Sequence, residues 1–178
     1  MSRSGYTDDD GDDPLAHGRW RQAVNCSLRG KRGQALLGEL VQALDAMNDK
    51  RLYPDSFATI DGEFCALGAL AARRGTKVDD LIDHYGDCDP AQVGQRFSIA
   101  TAMASEIMYM NDEYAVDCWK WVDVEICGPM PPHHFQPYGQ KHRRSVRIHN
   151  DNHPRERWER MRAWAVENLK SENTEAKG

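Results

Sequence analysis

The chain lacks the segments and motifs that mark membrane proteins and the commoner enzymes. It contains no apolar run of the roughly 18 residues that a membrane-spanning helix needs, and its first residues lack the apolar core of an export signal. A P-loop, a dinucleotide-binding glycine pattern, a Gly-x-Ser-x-Gly elbow and a His-Glu-x-x-His motif are also missing. We therefore expect a cytoplasmic protein without membrane contact that does not follow those enzyme templates.

Cysteine is sparse, and its spacing excludes two common roles. The five cysteines are Cys26, Cys65, Cys88, Cys118 and Cys127, and no two of them form a Cys-x-x-Cys pair. A thioredoxin-like redox centre and a zinc ribbon are therefore excluded. The odd count and the missing export signal indicate reduced thiols.

The composition is that of a small folded domain with separated charges. The chain has 178 residues, of which 40% are hydrophobic and 29% charged, and its net charge is −5. That charge is mainly the sum of four blocks: −4 in residues 1–13, +5 in 14–38, −10 in 39–125 and +5 in 141–162. Such blocks either present surfaces to oppositely charged partners or neutralise one another within the fold.

Apolar residues recur at helical spacing near the start of the chain. Trp20, Val24 and Leu28 share one face of a helix, and a second apolar stripe covers residues 37–47. Two glycines in residues 30–33 predict a loop between these helices. We expect a helical hairpin whose loop displays three basic residues, Arg29, Lys31 and Arg32.

Four further elements are predicted in the middle of the chain. Residues 52–60 form an extended piece that ends in an Asp-Gly turn, and residues 64–72 form a buried helix of small apolar side chains. Thr76 with an acid three residues later approximates a capping box, which predicts a short helix. Residues 89–110, opening with Asp-Pro, are predicted to form one longer helix.

The hydrophobic period changes to two in residues 118–126, where Val and Ile alternate with Trp and acids. This alternation predicts a half-buried strand, and residues 146–148 supply a returning strand. Residues 151–154 then start a final helix.

These patterns predict a mainly α-helical fold of the α+β class. One domain over residues 14–170 contains five or six helices, with a β-hairpin inserted at about 114–149 before the C-terminal helix. Residues 1–13 are predicted to form a disordered acidic arm, and residues 171–178 a frayed tail.

Five short stretches stand out along the chain. They are SRSGY at 2–6, RGKRGQA at 29–35, CALGA at 65–69, EIMYMNDE at 106–113 and RW at 157–158. In this order they resemble a family of small, functionally uncharacterised proteins of tailed phages and prophages. The resemblance implies a phage accessory protein in the cytoplasm of the infected bacterium and assigns no chemistry. In the family a short loop connects the Asn-Asp-Glu turn to the last helix, so we interpret the strand-and-loop segment here as an added hairpin with its own partner.

Cys65 is a candidate catalytic nucleophile because it opens an apolar helix. A thiol at a helix N-terminus has a lowered pKa, and a cysteine followed far downstream by His149 and Asp151 has the chain order of papain-like sites. Alternatively, the thiol packs as a small hydrophobe among its small apolar neighbours. We favour the packing role.

Zinc is the candidate cofactor because soft and borderline ligands are concentrated in one segment. Five of the seven histidines lie within residues 133–153, just after two cysteines. The spacing matches no standard zinc motif, so we favour a pH-responsive loop without a cofactor. The candidate ligands are Cys118, Cys127, His133, His134 and His142.

Basic and aromatic residues are the candidates for partner binding. Arginine, tryptophan and tyrosine are enriched at interface hot spots, and clustered cations with aromatic rings also suit nucleic acids. A pI of about 5.8 counts against a dedicated nucleic-acid binder. The alternative for the tryptophans is that both cover the helical core. The candidates are Trp119, Trp121, Phe135, Tyr138, Arg143, Arg144 and Arg147, together with Arg29, Lys31 and Arg32.

We therefore expect a non-catalytic interaction protein. Its partner is a host protein or protein–nucleic-acid complex, for example a component of host defence, with phosphate contact as one mode of binding. The alternative is a small hydrolase or nucleotide-processing enzyme that uses Cys65 or a metal in the histidine-rich segment.

Overall fold

The computed structural model describes residues 15–59, 61–83, 88–114, 118–125 and 143–170. The chain forms two compact units: a helical unit, Met1–Val116 with Pro154–Gly178, and a hairpin unit, Asp117–His153. The predicted arm at 1–13 and the predicted tail at 171–178 lie outside the described residues. The domain boundaries therefore stay predictions.

Helix α1, Ala16–Arg29, and helix α2, Lys31–Ala46, are joined by Gly30 alone. The predicted loop between two glycines is therefore wrong, because Gly33 lies inside α2. A Cβ on Gly33 would lie 2.0 Å from the backbone oxygen of Ser27. Glycine is present there because the two helices approach closely, which a side chain would prevent.

The next elements match the predicted extended piece, turn and buried helix. Ala58 pairs with Phe64 in an antiparallel bridge, and Gly62 has a φ of 79° in the turn between them. Helix α3, Ala66–Arg74, follows directly, and its first six residues are buried. The small side chains of α3 allow close packing, since a Cβ on Gly68 would meet a backbone oxygen at 1.6 Å.

The short helix expected after Thr76 is wrong. In the described residues directly after Thr76 the helical element is a 3-10 turn, Asp79–Leu81, and no side chain caps it. Ile82 instead pairs with Cys88 in an antiparallel bridge, so extended backbone begins where the helix was expected to continue.

The single helix expected over residues 89–110 is two helices. They are α4, Pro90–Phe97, and α5, Thr101–Asp112. Asp89 caps α4 as predicted, with its side chain accepting a hydrogen bond from a backbone amide. Ser98 ends α4 by adopting a left-handed conformation with a φ of 60°. The apolar pattern continues through this break, and periodicity therefore gives no sign of it.

The core of the helical unit is built from apolar faces of α2, α3 and α5. Helix α6, His153–Asn168, contributes Met161 and Ala165 to this core and also buries Pro154 and Arg157. The indole nitrogen of Trp158 in α6 donates to the backbone oxygen of Leu44 in α2, 3.1 Å away. The largest fully buried aliphatic side chains are Leu36, Leu37, Leu40, Leu44, Leu52, Leu67, Leu70, Met103 and Ile107.

The hairpin unit contains strands β1, Trp119–Glu125, and β2, Arg143–His149, paired antiparallel. The hairpin precedes α6 in the chain, and six α-helices are present in the described residues. The predicted mainly α fold with an inserted hairpin is thus confirmed. None of the helices in the described ranges is both long and apolar enough to cross a bilayer.

Candidate interaction surface on the hairpin

The strand alternation and the register give the hairpin two chemically different faces. One face, which we call the aromatic face, carries Trp119, Trp121, Asp123 and Glu125 of β1 opposite His149, Arg147, Ser145 and the Arg143 position of β2. The other face carries Lys120, Val122 and Val124 of β1 opposite Ile148, Val146 and the Arg144 position of β2. The predicted alternation in β1 is confirmed over the described residues.

The prediction that β1 is half-buried is wrong. Six of its seven residues are exposed, and only Val122 is partly covered. Trp121 is 69% exposed and Trp119 43% exposed, so neither ring is buried in a core. On the second face, Val124 and Ile148 are also exposed. The hairpin therefore presents large apolar side chains to solvent.

Trp119 is held by two side chains from the opposite strand. The Arg147 guanidinium lies 5.1 Å from the centre of its ring, a cation–π distance. The His149 ring meets the indole edge-on, with ring centres 5.6 Å apart. These contacts fix the Trp119 ring, whereas Trp121, two residues along the same face, is the more exposed ring.

Charges of both signs flank the aromatic rings. His149 Nδ1 lies 2.8 Å from an oxygen of Asp151, and this hydrogen bond lowers the pKa of the Asp151 carboxyl. Farther along the strands, the Ser145 hydroxyl donates to Asp123 at 2.5 Å. The face thus carries Arg147 beside the aromatic rings, and Asp123 and Glu125 farther along, with the Arg143 position opposite Glu125.

Cys118 and His153 lie near the two ends of the chain segment that forms the hairpin unit, and the fold brings their side chains together. Cys118 Sγ is 3.6 Å from His153 Nε2, and the backbone amide of Asn150 donates to the Cys118 carbonyl at 2.8 Å. In the described ranges, no group of three or more His, Cys, Asp or Glu side chains lies close enough together, as the structure stands, to hold a metal ion. Of the predicted zinc ligands only Cys118 is described; Cys127, His133, His134 and His142 lie outside the described residues.

The remaining predicted partner-binding residues fall into three groups. Phe135 and Tyr138 lie outside the described residues, and the structure places Arg143 and Arg144 by backbone register alone. Arg29, Lys31 and Arg32 are exposed in the helical unit, but they stand in the last turn of α1 and the first turn of α2 rather than in a loop.

Cys65, the predicted nucleophile, is a buried residue of the helical unit. It is 1% exposed, and its Sγ accepts a hydrogen bond from the Gly68 amide at 3.4 Å, which caps α3. The other two predicted catalytic residues, His149 and Asp151, belong to the hairpin unit. The burial and capping of Cys65 favour the packing role.

The helical unit also carries an open cleft of about 370 Å³. Tyr53 and Glu63 lie on its wall with Asp49 and Arg51. Burial is the main reason that the pKa of the Tyr53 phenol is raised, and a hydrogen bond with Glu63 is the next largest. The sequence pattern did not indicate a cleft with this polar lining.

Two side-chain contacts of His149, at the end of β2, were not predicted, although the sequence contains signals for both. His149 and Asp151 are two residues apart, which is close enough for a side-chain hydrogen bond. His149 and His153 are four residues apart, and their ring centres lie 6.4 Å from one another. Short spacings between histidines and acids are therefore the signal that would have identified this cluster.

Comparison with known proteins gives no match to a family model, to a curated protein or to a solved structure. The resemblance to tailed-phage proteins stays a prediction.

Proposed function

We propose that this chain is a non-catalytic binding protein that captures another protein on the aromatic face of its hairpin. The observation that carries the proposal is the exposure of Trp121 and Trp119, at 69% and 43%, on one face of one strand. Large aromatic side chains contribute about 1.5–3 kcal/mol each when a partner buries them, and they dominate interface hot spots.

The surroundings of the rings support recognition rather than non-specific stickiness. Arg147 stacks on Trp119 and holds its ring in place, so less side-chain freedom is lost when a partner binds. Tryptophan and arginine together are the residue types most enriched among hot spots.

The charges on the same face favour a protein over a nucleic acid. Asp123 and Glu125 share the face with Arg147 and the Arg143 position, so carboxylates stand among its basic groups and would repel a phosphate backbone laid along the strand. A protein surface with an apolar patch, acids near Arg147 and bases near Asp123 complements the full length of the face.

The resemblance to tailed-phage proteins implies the setting. A phage accessory protein acts in the bacterial host, so the partner on this proposal is a host protein, for example a component of defence that the phage modulates. This assignment depends on the resemblance, whereas the location of the binding surface depends on the hairpin alone.

Affinity capture from bacterial lysate tests the proposal. Wild-type chain, a Trp119→Ala/Trp121→Ala/Arg147→Ala variant and a Val166→Ala control are immobilised in parallel. Val166 is a hydrophobic residue of α6 that is as exposed as Trp119. We expect one protein to be retained by wild type and by the control, and to bind the triple variant at least about 100-fold more weakly. Capture lost after nuclease treatment would instead indicate a nucleic-acid partner, and equal capture by all three chains would exclude the aromatic face.

A further inference from the structure

Within residues 118–125 and 143–153, the described part of the hairpin unit, no hydrophobic side chain is buried, and the buried polar residue is Asn150. A two-stranded hairpin alone is marginally stable in water, and small units of this kind commonly depend on a disulfide or a metal ion. The side chains near the two ends of this unit are therefore candidates for holding such a metal ion.

Cys118 and His153 have the separation of two ligands on one metal ion. Their Sγ and Nε2 atoms are 3.6 Å apart. On a tetrahedral zinc ion, with bonds of about 2.3 Å to sulfur and about 2.05 Å to nitrogen, the two ligand atoms also lie about 3.6 Å apart. The same separation suits a thiol–imidazole hydrogen bond. The distance between the two ligand atoms therefore need not change when a metal ion replaces the shared proton, although the imidazole ring must turn so that Nε2 faces the ion.

His149 is the third ligand that the fold offers. Its ring centre lies 6.4 Å from that of His153, whereas two imidazoles on one tetrahedral ion have centres about 5 Å apart, so the His149 ring moves about 1 Å inward on binding. Its Nδ1 is 2.8 Å from Asp151, which leaves Nε2 for the metal. A carboxylate in this position commonly orients zinc-bound histidines from behind.

We propose that Cys118, His149 and His153 bind Zn²⁺, with Asp151 orienting His149 and a water molecule completing the coordination. A thiolate and two imidazoles select zinc over magnesium or calcium, which prefer oxygen ligands. The ion connects Cys118, the residue before β1, with His149 at the end of β2 and with His153, all within the hairpin unit. It thereby fixes the two strands that carry the aromatic face. This site differs from the zinc site predicted from sequence. Of the five predicted ligands, it uses only Cys118.

Metal titration of the full-length chain tests the proposal. The chain is purified with a reductant, stripped with a chelator and given Zn²⁺ or Co²⁺. We expect one zinc ion per chain after desalting, measured by elemental analysis, and a thiolate-to-cobalt charge-transfer band that added Zn²⁺ removes. The cobalt band of the wild-type chain reports thiolate ligation without any substitution, so this measurement does not depend on the folding of a variant.

Substitutions then identify the ligands. Cys118→Ser and His153→Gln are expected to weaken zinc binding at least about 100-fold and to remove the cobalt band or shift it, and Asp151→Asn to weaken binding about 10–100-fold. Cys26→Ser, at an exposed thiol of the helical unit, is the matched control and changes nothing. Far-UV circular dichroism of each variant verifies that the helices persist.

A second control separates this site from the histidine-rich segment. A Cys127→Ser/His133→Gln/His134→Gln/His142→Gln variant keeps one tightly bound zinc ion if the proposal holds. Three results would each overturn it: a wild-type chain that retains no zinc, undiminished binding in Cys118→Ser, or loss of binding in the quadruple variant.

Discussion

The Arg157 guanidinium donates from Nε to the backbone oxygen of Asn111, 2.7 Å away, although both residues are 1% exposed. A second nitrogen of the same side chain donates to the backbone oxygen of Leu52 at 3.1 Å. One side chain of α6 thus binds the end of α5 and the start of the extended piece. Its charge is buried, which is costly unless its hydrogen bonds are made.

Replacing Arg157 with Leu is expected to lower the free energy of unfolding by about 2–4 kcal/mol. The substitution keeps apolar bulk but removes the donors to two buried carbonyl groups. Arg155→Ala is the matched control, because Arg155 is exposed on the same helix and pairs with Glu159 one turn away, so the change should stay within about 0.5 kcal/mol. Urea unfolding measures both, and equal effects would refute the role given to Arg157.

Two glycines of α2 are expected to respond in opposite directions to alanine. At Gly33 the new Cβ would lie 2.0 Å from the Ser27 oxygen, so the helices must separate and we expect a loss of at least about 2 kcal/mol. At Gly38 nothing lies within 4 Å, and alanine should stabilise the helix by about 0.5–1 kcal/mol. Thermal unfolding of both variants provides the comparison; a stabilised Gly33→Ala chain would show that the helices do not approach as described.

The break between α4 and α5 predicts a further pair of opposite effects. Ser98 has a φ of 60°, which glycine adopts without strain. Ser98→Gly should raise the free energy of unfolding by about 0.5–1 kcal/mol, whereas Ser98→Ala keeps the strained backbone and should give no gain. Denaturant midpoints of the two variants, compared at equal slope, distinguish them. A gain in Ser98→Ala would mean that α4 continues through this position.

Two ion pairs predict how stability depends on pH. A hydrogen bond from Arg74 lowers the pKa of Glu39, ordinarily 4.5, and one from Arg162 lowers the pKa of Asp45, ordinarily 3.8. Because the folded-state values are the lower ones, both pairs stabilise the fold above those ordinary values and lose this contribution as pH falls through the folded-state values. All four side chains are partly exposed, so solvent screens both pairs and their combined contribution is small.

A Glu39→Gln/Asp45→Asn variant tests this dependence. It should be less stable than wild type at pH 7. The difference should shrink as the pH falls below the ordinary values of 4.5 and 3.8 and vanish only below the lowered folded-state pKa values, where both carboxyls of the folded wild type are protonated. The difference at pH 7 should also shrink in high salt. A difference between the two chains that is independent of pH would contradict the assignment of these pairs.

The sequence predicted the elements whose pattern is local. The hairpin, the buried small-residue helix and the Asp89 cap follow from alternation, composition and capping chemistry over a few residues each. The break at Ser98 was missed because an αL residue in the middle of an apolar pattern leaves the period unchanged. Gly33 was wrongly predicted to lie in a loop. The Ser27 oxygen, whose proximity requires a glycine at this position, lies in another helix, and a local sequence pattern does not reveal that contact.

The candidate site was predictable in part for the same reason. The alternation of β1 identified Trp119 and Trp121 as sharing a face, but it could not show that the face is open to solvent. The partners of Trp119, namely Arg147 and His149, depend on the strand register, which is set by contacts across the hairpin. Arg157 was overlooked because a charged residue is normally read as exposed, although its spacing from Met161 and Ala165 places it on the inner face of α6.

Site-specific photocrosslinking tests the central claim most directly. A photoreactive phenylalanine analogue replaces Trp121 in one chain and Val166 in another, and each chain is irradiated in bacterial cells. We predict one discrete crosslinked protein from position 121 and none from position 166. Excess unlabelled wild-type chain should suppress it, while the Trp119→Ala/Trp121→Ala/Arg147→Ala variant should not. Identical crosslinking from both positions, or none from position 121, would contradict the assignment of the aromatic face as the binding surface.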